Sequence, residues 1–162
     1  MALFPTAGAS IFIGGPLAQK SEDFVAADFD GQSSLWTEIK ALENLGTAGD
    51  TSEEVSINLV NETRTKRFKG TRSAAPMELA FGLDLADQGQ IALIAAERER
   101  ADFAFKIEFD DAPMTTNGTP STRLFIAQVA SATETYDSAN NVTRLQSALW
   151  INSNLVRVAA EA

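Results

Sequence analysis

The chain has 162 residues and a net charge of −9, from 13 Lys and Arg against 22 Asp and Glu; the length suffices for a real core, and the charge argues against tight whole-molecule binding to nucleic acid. It contains neither Cys nor His, which excludes a disulfide framework, a thiolate or imidazole metal site and every Cys- or His-based triad. No run approaches the ~18 apolar residues of a membrane span, and no positive region precedes the short apolar stretch Ile11-Phe12-Ile13, so the N-terminus is a poor signal peptide.

In chain order, Ser10 to Ile13 is expected as a short strand between Gly8 and Gly14-Gly15-Pro16. Leu35 to Leu45 fits two periods. Leu35, Ile39 and Leu42 recur as on a helix, while Leu35, Thr37, Ile39 and Ala41 alternate as on a strand, and propensity favours the helix. Val55, Ile57 and Leu59 alternate as a strand. From Glu62 to Ser73 only Phe68 is large and apolar, so this stretch is expected as an exposed arm or loop.

Strand patterns dominate the second half. Met77, Leu79, Phe81, Leu83 and Leu85 alternate with Glu78 and Asp84 on the other face, and Phe103, Phe105, Ile107 and Phe109 alternate with Lys106 and Glu108. Between them, 86–99 is expected as a helix. Asp87 with Gln90 three residues on reads as a capping box, Asp84 with Asp87 is an alternative pair one turn earlier, and Ile91, Ile94 and Ala95 share a face that can lie on a sheet. Arg98 and Arg100 at its end complement the helix dipole. Pro113 to Pro120 reads as a connecting loop and Asp137 to Asn141 as a hairpin-like turn. Arg123 to Ser131 is apolar on both faces, as in a strand covered on both sides. Leu145 to Val158 is expected as a long final strand whose apolar parity shifts near Asn152-Ser153-Asn154, the mark of a bulge. Antiparallel strands with one flanking helix and an extended arm make an α+β fold, a β-sandwich or barrel-like sheet.

Charge is distributed unevenly. Residues 1–62 hold ten acids against Lys20 and Lys40; residues 63–72 hold Arg64, Lys66, Arg67, Lys69 and Arg72 and no acid; residues 73–162 are again acidic. Chemistry-bearing constellations are poor by comparison. Asp28-Phe29-Asp30-Gly31 lacks the closing Glu of a calcium loop, and Asp110-Asp111 ends a strand where solubility explains it. No Ser-x-x-Lys, no nucleophile elbow and no phosphate loop occurs. An enzyme and a cofactor are therefore not expected. The basic block, with Phe68 as a possible stacking residue, could follow phosphates, but five bases in an acidic chain make no broad positive groove. Docking against an acidic surface of another copy ranks above nucleic-acid binding, and a solvated loop stays open beside it.

Several segments taken together carry a resemblance. They are Ala7 to Ile13, Trp36 with Ile39 and Leu45-Gly46, the helix start Asp87-Gln88-Gly89-Gln90-Ile91, the strand Phe103-Ala104-Phe105-Lys106-Ile107, Phe125 to Ser131, Asn140 to Thr143 and Ile151 to Asn154. In this order they resemble the major tail tube proteins of long, non-contractile-tailed, lambda-like bacteriophages, over nearly the whole chain. The resemblance implies one tail-tube domain over 1–162, without the C-terminal immunoglobulin-like domain of some relatives. It also makes Leu35 to Leu45 a strand. It implies six copies in a ring and rings stacked into a tube. Partners would be a tape-measure protein and tail tip or terminator proteins; DNA would pass without specific binding, and no membrane is involved. The location would be the virion tail, with the host cytoplasm during assembly. A tail terminator or tail-completion protein of the same fold is the alternative. The segment matching the flexible inter-ring arm is 46–73, so the candidate interface residues are Asp50, Glu53, Glu54, Arg64, Lys66, Arg67, Phe68, Lys69 and Arg72.

Overall fold

Phe105 and Phe125 sit opposite one another on neighbouring antiparallel strands, their rings stacked with centroids 5.7 Å apart in the middle of the core. In the computed structural model, which describes residues 3–162, they belong to an eight-stranded sheet. Its strands are β1 (Ser10–Pro16), β2 (Thr37–Ile39), β3 (Leu42–Asn44), β6 (Met77–Gly82), β7 (Phe103–Glu108), β8 (Thr122–Thr135), β9 (Arg144–Ile151) and β10 (Val156–Val158). The remaining two, β4 (Asp50–Ile57) and β5 (Lys66–Ala74), form a separate hairpin, and one α-helix, α1 (Gln88–Glu97), lies between β6 and β7. The fold is α+β with antiparallel pairing throughout the sheets.

The main sheet runs β2-β1-β7-β8-β9-β6-β3, with β10 also on β8. Its two end strands, β2 and β3, are consecutive in the chain and joined only by Lys40 and Ala41. Three residue steps span at most ~10 Å, so the sheet must curl until its ends almost meet, as in a barrel. The inner face is filled by Ile11, Ile13, Ile39, Phe81, Leu145 and Leu149 among others, and α1 adds Leu93 and Ala96. A second, smaller cluster lies on the other face of β7, β8 and β10. There Phe24 and Phe29, on and beside a 3-10 helix at Ala26–Gln32, cover Ala104, Leu124, Ile126 and Val156. This is why β8 reads as apolar on both faces: Phe125 and Ala127 point one way, Leu124 and Ile126 the other.

The final strand is interrupted where its parity shifts. β9 and β10 both pair with β8, and the gap between them is bridged by Ser153, whose Oγ accepts from the Ile126 backbone N–H at 3.0 Å. The turn expected at Asp137 to Asn141 joins β8 to β9. Asp28 serves its own turn rather than a cation: its carboxylate accepts from Lys20 Nζ and the Val25 N–H, and these bonds hold its pKa below the ordinary value.

Four expectations are corrected. Leu35 to Leu45 is not a helix but two short strands, because Ala41 takes φ 61° and Ile39 is buried opposite Ile11; the strand that the resemblance implied is thereby split between two edges. The strand from Met77 stops at Gly82, leaving Leu85 exposed. Helix α1 buries Gly89, Leu93 and Ala96 and packs Ile94 partly against the core, but leaves Ile91 and Ala95 exposed, since Gly89 lets its first turn approach Glu38 and Ile39 so closely that a Cβ would overlap their backbone. Asp87 is the N-cap, accepting from the Gln90 N–H at 3.0 Å, but the box stays open. Gln90 turns its side chain away to bond Asp84 N–H, Lys40 C=O and Gly82 C=O, while Asp84 caps only the turn at Ala86.

Candidate assembly surface

The hairpin β4–β5 owes its shape to two superposed patterns. Val55 and Ile57 alternate with Glu54 and Ser56, and Phe68 alternates with Arg67 and Lys69. Antiparallel pairing sets Val55 opposite Phe68, Glu54 opposite Lys69, Ser56 opposite Arg67 and Ile57 opposite Lys66. The register shifts between Ser52 and Glu54, where Glu53 stands against Gly70 and Thr71. The outcome is a ribbon with Val55, Ile57 and Phe68 on one face, joined there by Lys66, and Glu54, Arg67 and Lys69 on the other, and every residue from Asp50 to Lys69 is exposed.

The charges of the hairpin are matched largely within it. Arg72 Nη2 lies 2.7 Å from Asp50 and its Nη1 3.9 Å from Asp23. Arg67 Nε lies 3.4 Å from Glu54, and Lys66 Nζ lies 3.0 Å from Glu62. The run of bases and the run of acids that precedes it are thus two sides of one ladder, each pair exposed and worth well under ~1 kcal/mol. Among the described residues, Arg64 in the connecting turn and Lys69 form no ion pair. Glu53 forms none either.

The apolar face has no cover. Val55 is 53% exposed and Phe68 58%, with Ile57, Leu59 and Val60 exposed beyond them toward the tip. A lone two-stranded hairpin is marginal in water, and among the described residues none buries this face. The arm is shorter than 46–73. Gly46, at φ 69°, lies so close to the Glu78 backbone that it belongs to the body, and Leu45, Ala48 and Ala74 join the core.

Sequence reasoning named the bases and Phe68 but left Val55 and Ile57 as an ordinary strand. The signal was present: the alternation has no later segment in the chain assigned to cover it. Glu62 and Asp23 were also missed as partners, since only the register shows which acids the bases meet. A further missed feature is Trp150 on β9. It is 56% exposed and lines a groove of about 500 Å³ at the base of the hairpin with Phe24, Asp50, Arg72 and Ala74. No group of three or more Asp or Glu side chains able to hold a metal ion occurs among the described residues.

No protein-family model matches the sequence, and no curated protein matches it. Solved structures do share its fold. A chain of the anti-feeding prophage baseplate superposes with TM-score 0.67 at 11% identity, covering 98% of each chain. The SPP1 tail tube superposes with TM-score 0.62 at 15% identity, over 96% of this chain and 80% of that one. The sheath/tube terminator of an extracellular contractile injection system, PVC, gives 0.63 at 11%, covering 98% and 99%. The chain therefore shares its fold with the SPP1 tail tube and with a terminator chain of a contractile injection system.

Proposed function

We propose that this chain is a structural subunit of a phage tail tube of the long, non-contractile type. Copies join in hexameric rings, the rings stack, and the bore is a conduit for the genome and a tape-measure protein. The observation that carries this reading is the hairpin β4–β5, an extension of a tube-protein fold whose apolar face its own chain leaves bare. Covering Val55, Ile57 and Phe68 would contribute roughly 2–4 kcal/mol per copy, repeated at every subunit of a ring. The arm is mobile until a neighbouring subunit orders it, and its ion pairs keep it soluble meanwhile. A charge of −9 per copy, multiplied around a ring, keeps a passing polyanion from adhering. No enzymatic role accompanies this. The protein assembles in the host cytoplasm and ends in the virion tail, in contact with tip and terminator proteins.

A terminator that makes one ring is the second reading, favoured by the full-length overlap with the PVC terminator. Nucleic-acid binding recedes, because Lys66, Arg67 and Arg72 already have acidic partners; an absence of any gel shift at low salt would dismiss it.

Sedimentation and negative-stain microscopy of the purified protein test the proposal. Open-ended tubes are the expected result, rings alone would make it a terminator, and a stable monomer under all conditions and in tail lysates would overturn both. The double variant Val55→Ser, Phe68→Ser is expected to stay monomeric with an unchanged unfolding temperature. Reversal of Arg64, Lys66 and Arg67 to Glu should impair polymerisation and leave the monomer folded.

A further inference from the structure

The hairpin offers an apolar face and, in its connecting turn, Arg64, a base that forms no ion pair among the described residues, and the same molecule carries a counterpart. The groove at the hairpin base is lined mostly by polar side chains, Glu22 and Asp23 among them, with the half-exposed Trp150 and Ala74 as its apolar part. The bases along this edge are already engaged, Lys20 by Asp28 and Arg72 by Asp50. Glu22 forms no ion pair among the described residues, and Asp23 has only the 3.9 Å contact with Arg72. At about 500 Å³ the groove has room for an aromatic side chain.

Its own hairpin cannot fill it. Phe68 is four residues from Arg72, which lines the groove, so at ~3.3 Å per residue the apolar face begins some ~13 Å away. The occupant has to be another chain. We propose that the groove beside Trp150 receives the hairpin of a second copy, with the incoming Phe68 against Trp150 and Ala74 and the incoming Arg64, from the connecting turn, facing Glu22 and Asp23. The incoming aromatic ring meets the exposed Trp150, and the incoming guanidinium meets the acidic edge. A patch and its complement at separate places on one molecule make a heterologous contact, which repeats into a closed ring or an open stack instead of stopping at a dimer. An aromatic seated beside a half-exposed Trp has the form of an interface anchor. This rests on the tube reading above and names the surface that the arm meets.

Because the chain contains no Cys, the contact can be trapped. Val55→Cys is prepared in one batch and Ser21→Cys in another, both at exposed positions; the two are mixed under assembly conditions and oxidised. A disulfide-linked heterodimer on a non-reducing gel is expected, at least tenfold more abundant than from Val55→Cys with Thr133→Cys, which lies on β8 away from the groove. Trp150 emission, read in a Trp36→Phe background, should shift to the blue as assemblies form. Tubes that form normally with no Val55–Ser21 linkage above the Thr133 control, and with unshifted emission, would overturn the groove while leaving the tube reading intact. Failure of the wild-type chain to assemble at all would remove both.

Discussion

Gln90, in the first turn of α1, donates from Nε2 to the carbonyl of Lys40 at 3.1 Å, tying the helix to the link between the two end strands of the sheet. The same amide donates to Gly82 C=O at 2.8 Å and accepts from Asp84 N–H at 3.0 Å. Asp87 works beside it, its carboxylate accepting from both the Lys40 and Gln90 N–H groups. One buried side chain therefore holds three strand-end backbone groups at the seam where the curled sheet closes.

Gln90→Ala leaves those three groups without partners and should destabilise the protein by roughly 2–4 kcal/mol, read from chemical denaturation. Gln90→Glu should be no better, since it removes both donors and buries a charge. A loss below ~1 kcal/mol for Gln90→Ala would show that the seam is held by other contacts.

Gly89 is where the helix touches the backbone of Glu38 and Ile39. Gly89→Ala raises helix propensity by ~1 kcal/mol, yet the added methyl has no room and must push α1 off the sheet. A net destabilisation of about 1–3 kcal/mol is expected. A stabilised variant would mean that the helix seats farther out than described.

Ser147 points into the core, 3% exposed, and its Oγ has no hydrogen-bond partner. Ser147→Ala relieves a buried, unsatisfied hydroxyl at nearly constant shape, so thermal unfolding should show a neutral to stabilised variant, by up to ~1 kcal/mol. Clear destabilisation would sink this.

Asp111 closes the loop between β7 and β8, accepting from Ser121 Oγ at 2.6 Å and Ser121 N–H at 2.8 Å, and these bonds hold its pKa below the ordinary 3.8. A carboxylate with a depressed native pKa stabilises the fold above its unfolded value and loses that contribution as the pH falls through the native one. Asp111→Asn should therefore be less stable than wild type near pH 6, and the gap should close as the pH drops below the ordinary carboxylate value. A gap that stays constant down to pH 2 would refute the assignment.

Much of the sheet is legible in the chain because strand alternation is a local property. Phe103 to Ile107, Met77 to Phe81 and the two-faced Leu124 to Val129 each declare their inward residues without reference to anything distant. The interruption near Ser153 is visible for the same reason, as a change of parity. Leu35 to Leu45 was misleading because its periodicity is shared by two conformations. The choice was made by Ile11 and Phe81, which pair with Ile39 and Leu42 from opposite ends of the sheet. The helix face was legible only in part: Ile94 does pack on the core, but Ile91 stays exposed because close approach to β2 requires the residue without a Cβ.

Composition and periodicity were enough to show that Cys and His chemistry is missing, where most strands lie, and that a basic run stands beside an acidic one. It took the folded hairpin to bring these runs face to face, so that their charges largely cancel in place while Val55 and Phe68 stay bare. Composition counts charges, whereas Coulomb attraction and burial depend on distance, and distance is set by a strand register that pairs residues up to 24 positions apart, Asp50 with Ala74.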